Sequence, residues 1–166
     1  MIGKHRRSIG TAAAILLLIT LIAGCGNNVK NPDNDIKKYD VIFSTYNIYG
    51  VNNGPTEKTT FTVKEGSTFD IWSISTYHWN NGQGAEPGQI MLIRNGRVLG
   101  TWDTQGRPGN GKQNVNWDAV VHITIPEGEY EIVDSDPDTW SCNSKSGNRG
   151  FVEIRGYEMF ESNEGY

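Results

Sequence analysis

Beyond residue 24 the chain contains only two leucines, Leu92 and Leu99. Runs of Ile, Val, Thr and aromatic residues are broken at short intervals by Gly, Asn, Ser and Asp. All five Trp, seven Tyr and five Phe lie in this part of the chain. β-Branched and aromatic side chains suit a pleated, half-buried surface. No stretch sustains the i, i+3, i+4, i+7 spacing of an amphipathic helix over three turns. The pattern therefore predicts an all-β chain. Strands are expected over residues 41–48, 59–64, 69–75, 90–94, 98–101, 119–125, 130–133 and 151–157. The clearest alternation sets Val121, Ile123 and Ile125 on one face and Val120, His122 and Thr124 on the other. Asn95-Gly96 predicts a tight hairpin, because both central residues of such a turn need positive φ. Pro126-Glu127-Gly128 reads as a second turn between antiparallel strands. About eight short antiparallel strands predict a two-sheet β-sandwich over residues 39–160, followed by a tail at 161–166. A partly open β-barrel is the alternative.

The first 24 residues are different. Lys4, Arg6 and Arg7 form a basic start, and an almost wholly apolar run follows from Thr11 to Ala23. That run is short for a bilayer-spanning helix, which needs about 20 residues. It closes on Leu21-Ile22-Ala23-Gly24-Cys25, which resembles the lipobox of bacterial lipoproteins. The resemblance implies cleavage of residues 1–24 as a signal peptide and attachment of diacylglycerol to the Cys25 thiol. The new amino group would be open to acylation, for example by palmitate. It implies a chain anchored in the cell membrane or outer membrane and facing out of the cytoplasm. Two or more acyl chains give stable anchoring, at about 0.8 kcal/mol per buried methylene. The polar segment 25–38, with Pro32 and no apolar periodicity, reads as the lipidated end and a flexible tether. Cys142 is then a lone thiol whose neighbours Ser141 and Asn143 supply no base, which reads as a buried, incidental cysteine.

Removing the leader sharpens the charge balance. Its three basic residues leave 12 of the 15 Lys and Arg against 19 Asp and Glu, a net charge of −7. An acidic body argues against nucleic acid as a partner, since that surface must displace counterions with positive charge.

Three segments are too long and too glycine-rich for plain turns: residues 79–89, 101–118 and 134–150. The first carries Trp79 and Asn80 and is preceded by His78, and Trp102, Trp117 and Trp140 flank the other two. Aromatic faces receive the C–H faces of sugars, and amides bond their hydroxyls. These six residues are the candidate ligand contacts, and polysaccharide is the candidate ligand. The competing reading makes the tryptophans core caps that staple the loops. Asp134, Asp136 and Asp138 alternate like the start of a Ca²⁺ loop. Lys145 stands where an EF-hand needs a bidentate Glu, so only an irregular Ca²⁺ site fits; the alternative is a set of Asx-turns. Gly106 to Lys112 has P-loop spacing, but Gln113 replaces the hydroxyl residue that binds Mg²⁺.

No metal-spaced histidines and no nucleophile elbow are present. Residues 77–82 together with 133–141 resemble an all-β module of exported bacterial proteins, which implies location and fold but no ligand. The expected function is a lipid-anchored, noncatalytic binding module for glycan or cell-wall polymer. The alternatives are an assembly lipoprotein acting through protein contacts and a small hydrolase.

Overall fold

The computed structural model describes residues 39–159. The segment expected to be a signal peptide, Cys25, the expected tether, residue 160 and the expected tail at 161–166 lie outside the described residues. The described chain is all-β, with nine strands and two single-turn 3-10 segments. The strands are β1 (Asp40–Ser44), β2 (Asn52–Asn53), β3 (Thr59–Tyr77), β4 (Gln89–Arg94), β5 (Arg97–Asp103), β6 (Gln105–Gly109), β7 (Lys112–Asp134), β8 (Ser141–Cys142) and β9 (Val152–Met159). Seven form one antiparallel sheet in the order β1-β9-β3-β7-β4-β5, with β6 also paired to β7. β2 and β8 form a separate two-stranded ribbon. The sheet ends at β1 and β5 and does not close into a barrel. Among the described residues no helix is long and apolar enough to cross a membrane.

Two strands are much longer than expected. β3 joins the predicted strands 59–64 and 69–75, and β7 joins 119–125 and 130–133. The turn expected at Pro126-Glu127-Gly128 is therefore a bend within one strand. The register shows how it forms: Val63 pairs with Gly128 and Thr68 with Pro126. Four residues of β3 oppose the single Glu127 of β7. Such a bulge bends and twists both strands. Gly66 and Gly128 take the positive φ values it requires, 76° and 143°. The Glu127 carboxylate closes the bulge by accepting the Gly66 N–H at 2.6 Å.

The bend turns one sheet into a sandwich-like pair of layers. Phe61, Val63, Ile90, Leu92, Tyr130 and Ile132 come from one side of it. Ile71, Ile74, Val121, Ile125, Val152 and Ile154 come from the other and join the same buried cluster. The Phe43 and Phe61 rings meet across the layers, 5.4 Å between centroids. Val121 and Ile125 are buried while Val120, His122 and Thr124 are exposed, as the alternation predicts. Asn95 and Gly96 turn β4 into β5 with φ of 51° and 74°.

Residues 101–118 are not a long loop. They carry the end of β5, β6, a tight turn and the start of β7. Asn110 and Gly111 make the turn, with φ of 49° and 72°, by the same chemistry as Asn95-Gly96.

Candidate functional site

β1 and β3 run in the same direction, both antiparallel to β9. The end of β1, the end of β3, the start of β9 and the start of β7 therefore meet at one end of the sheet. The polypeptide leaving β1 crosses this end as residues 45–51. Thr45 fixes the crossing: its hydroxyl donates to Gly150 O at 2.8 Å and accepts from Val152 N–H at 2.9 Å. The next side chain, Tyr46, packs against Phe151 at 5.4 Å and Tyr77 at 6.1 Å between centroids.

Between this crossing and the sheet end lies a groove of about 670 Å³. Tyr46, Tyr49, Tyr77, Trp79 and Phe151 supply its rings, and Asn47, Asn110 and Asn116 its amides. Ile48, Gly50 and Val51 complete the lining. Tyr77 and Asn116 face one another across the β3–β7 ladder, one residue beyond the buried pair Thr76 and Trp117. Strand alternation thus sends one pair inward and the other into the groove. Asn110 donates to the Tyr77 hydroxyl at 3.1 Å, so the β6–β7 turn braces the groove wall. Asn47 and Asn143 exchange amide hydrogen bonds of 3.1 and 2.8 Å, and Asn143 also donates to Gly50 O at 3.1 Å. Asn143 is itself set by a reciprocal cap with Ser146.

Among the described residues no Asp, Glu, Lys, Arg or His lines the groove. The charges behind it are paired: Arg107 holds Asp118 at 2.6 and 3.3 Å, and Arg155 holds Glu153 at 2.7 Å. Burial pushes the Tyr46 phenol well above its ordinary pKa, and the Asp118 and Glu153 carboxylates add to the rise. Tyr46 therefore enters the site as a neutral hydroxyl and an aromatic face.

The chain matches no protein-family model, no curated protein and no solved structure. The groove must be read from its own residues.

Of the six residues singled out as ligand contacts, Trp79 alone lines the groove. Its backbone N–H donates to the Ser141 hydroxyl at 2.9 Å, and its carbonyl accepts the N–H groups of Gly82 and Gly84. Asn80 lies behind it and ties the turn, donating to Gly84 O at 2.8 Å and accepting from Asn53 at 3.3 Å. His78 is fully buried. Its Nδ1 lies 2.9 Å from Thr139 Oγ1, and its Nε2 lies 3.1 Å from both Asp134 Oδ2 and Thr76 Oγ1. The long segments expected at 79–89 and 134–150 do gather at this end, and the His78 network joins them. Two of their tryptophans turn inward, however. Trp117 is wholly buried and donates to Ala85 O at 3.1 Å. Trp140 is 5% exposed and donates to Phe151 O at 2.8 Å. Trp102 packs partly buried against the core from β5 and does not reach the groove.

Two of the three aspartates bond hydroxyl and backbone groups of nearby residues. Asp134 is buried, takes the Thr76 hydroxyl at 2.8 Å and accepts Asp136 N–H at 2.9 Å in an Asx-turn. Asp136 accepts the Thr139 hydroxyl at 2.7 Å, and Asp138 faces solvent. Among the described residues no three His, Cys, Asp or Glu side chains are grouped to hold a metal ion. Cys142 is buried, and burial raises its thiol pKa.

Sequence reasoning missed most of the groove. Tyr46 and Asn47 fell within a strand predicted to run to residue 48, whereas β1 stops at Ser44. Asn110 and Asn116 fell within a segment read as loop. The Asn110-Gly111 dipeptide was the signal that locates them.

Proposed function

We propose that this chain is a lipid-anchored extracytoplasmic binding module, noncatalytic, which holds a polysaccharide in the groove between Tyr46 and Trp79. The observation that carries this reading is the chemistry of the lining: five aromatic rings and three Asn side chains, with no charged group among the described residues. Rings present flat apolar area while their hydroxyls and indole N–H remain able to bond. Amides both donate and accept, as sugar hydroxyls do. Acid–base catalysis needs a titrating group near the operating pH and within reach of the ligand, and the lining supplies none. The anchor rests on the Leu21-to-Cys25 pattern, whose acylation would tether the domain through residues 26–38.

Affinity electrophoresis of the full chain in detergent, in gels containing soluble polysaccharides, tests the binding. Retardation that is lost in Trp79→Ala supports the proposal, and equal mobility in every polymer overturns it. Incorporation of labelled palmitate, lost in Cys25→Ala, tests the anchor separately.

A second reading has one observation in its favour. β5 ends the sheet and exposes Val98 and Leu99, 49% and 39% accessible. An unprotected apolar edge is a place for strand pairing with another protein. Crosslinking from Leu99 in the native envelope, with a stoichiometric protein recovered, would favour an assembly role over glycan binding.

A further inference from the structure

We infer that the ligand of the groove is an acidic glycan, whose sugar faces lie on Trp79 and Tyr49 and whose carboxylate or phosphate groups meet Lys112 and Lys145. The inference rests on the binding role proposed above and sharpens its ligand class.

The described residues include four lysines, and their placement is uneven. Lys58 is satisfied by Glu131 at 2.8 Å. Lys112 and Lys145 are both exposed, and each stands beside an aromatic side chain of the groove. The Lys145 ammonium lies 5.7 Å from the centre of the Tyr49 ring. The Lys112 stem shares the open side of Gly82 with Trp79. A Cβ built on Gly82 would lie 3.4 Å from Trp79 Cζ2 and 3.6 Å from Lys112 Cε. One lysine thus comes from the β6–β7 hairpin and the other from the 3-10 turn after Asn143. They approach the groove from separate elements.

The surroundings make these cations available to a ligand. The chain carries 19 acids, yet among the described residues none lines the groove. The nearby Asp118 and Glu153 are held by Arg107 and Arg155. Neither lysine has a carboxylate within ion-pair distance among the described residues. A lysine beside an aromatic face is the arrangement that an acidic sugar needs. The ring takes the apolar face, and the ammonium, a compact charge on a flexible stem, takes the acid group. Charge-assisted hydrogen bonds are the stronger kind, so the lysines would select acidic over neutral polymers.

The test compares polygalacturonate with its fully methyl-esterified form, which keeps the backbone and removes the charge, and adds a glycosyl-phosphate polymer. Binding to the full chain in detergent is measured at low and high salt. The expected result is about tenfold tighter binding of an acidic polymer than of the ester, as one charge-assisted contact would give. That preference should fall with salt. Lys112→Gln with Lys145→Gln should remove it and leave ester binding unchanged, and the Arg pair should retain it. Preference for the carboxylate or the phosphate polymer identifies the acid. Equal binding of acidic and neutral polymers, unmoved by the Gln pair, overturns this inference while leaving the groove as a glycan site. Binding of no polymer overturns both. Thermal melts matching the parent chain confirm that the surface variants are folded.

Discussion

The His78 imidazole lies flat on the Trp117 indole, with 3.7 Å between ring centres and 18° between their planes. This stack joins the residue just past β3 to the neighbouring strand β7 at the end of the sheet, and the residue after His78 is the groove tryptophan. The buried pair therefore supports the site without forming part of its surface. Thr76, Asp134 and Thr139 bond to the imidazole edge.

Replacing His78 by Ala should cost the fold about 3 kcal/mol or more. The change leaves a cavity against Trp117 and strips partners from buried oxygens, each worth about 1–3 kcal/mol when orphaned. Urea unfolding followed by tryptophan fluorescence measures it. A loss below about 1 kcal/mol would show that the network is not holding this end together.

Gly150 gives a sharper steric test. A Cβ there would sit 2.1 Å from Trp140 Cε2, inside a fully packed region. Gly150→Ala should destabilise by about 3 kcal/mol, the upper range for overpacking. Gly50→Ala, with nothing within 4 Å of the new methyl, should stay within about 0.5 kcal/mol of the parent. Parallel thermal melts of the two variants compare them directly.

Tyr46 should give the fold an alkaline limit. Its pKa is raised in the folded state, chiefly by burial, so the proton is held more tightly folded than unfolded. The associated stability is intact below the unfolded phenol value of about 10. It is lost progressively as pH rises above that value, toward the higher folded pKa. Tyr46→Phe removes the titrating group and should flatten the fall in stability above about pH 10 relative to the parent. Denaturant melts from pH 8 to 11.5 would reveal an unchanged slope if Tyr46 plays no part.

Cys142 should resist alkylation in the native state. Its side chain is 4% exposed and burial raises its pKa, so little thiolate is present or reachable. Peptide-resolved mass spectrometry after iodoacetamide should show Cys142 modified at a rate that follows unfolding. Rapid modification under native conditions would place the thiol nearer solvent.

The all-β class was legible because side-chain shape and alternation act locally, and Val120 to Ile125 carry their in-and-out assignment in the sequence itself. Asn95-Gly96 was legible for the same reason, since two residues suffice to make the turn. The continuity of β3 and β7 was not. Pro126-Glu127-Gly128 satisfies the local chemistry of a turn, and only its pairing with β3 on either side of Glu127 makes it a bend.

The tryptophans show the same limit. Trp79 and Trp117 sit beside similar runs of Asn and Gly, yet one lines a groove and the other is buried under His78. Sequence by itself determined the strand chemistry, the tight turns, the acidic balance and the lipobox pattern, because each depends on a few adjacent residues or on a sum. Only the tertiary structure decided which rings meet. The groove joins Tyr46, Tyr77, Asn116 and Phe151 from four segments. Their common end is set by strand order and register, which are properties of long-range pairing and packing.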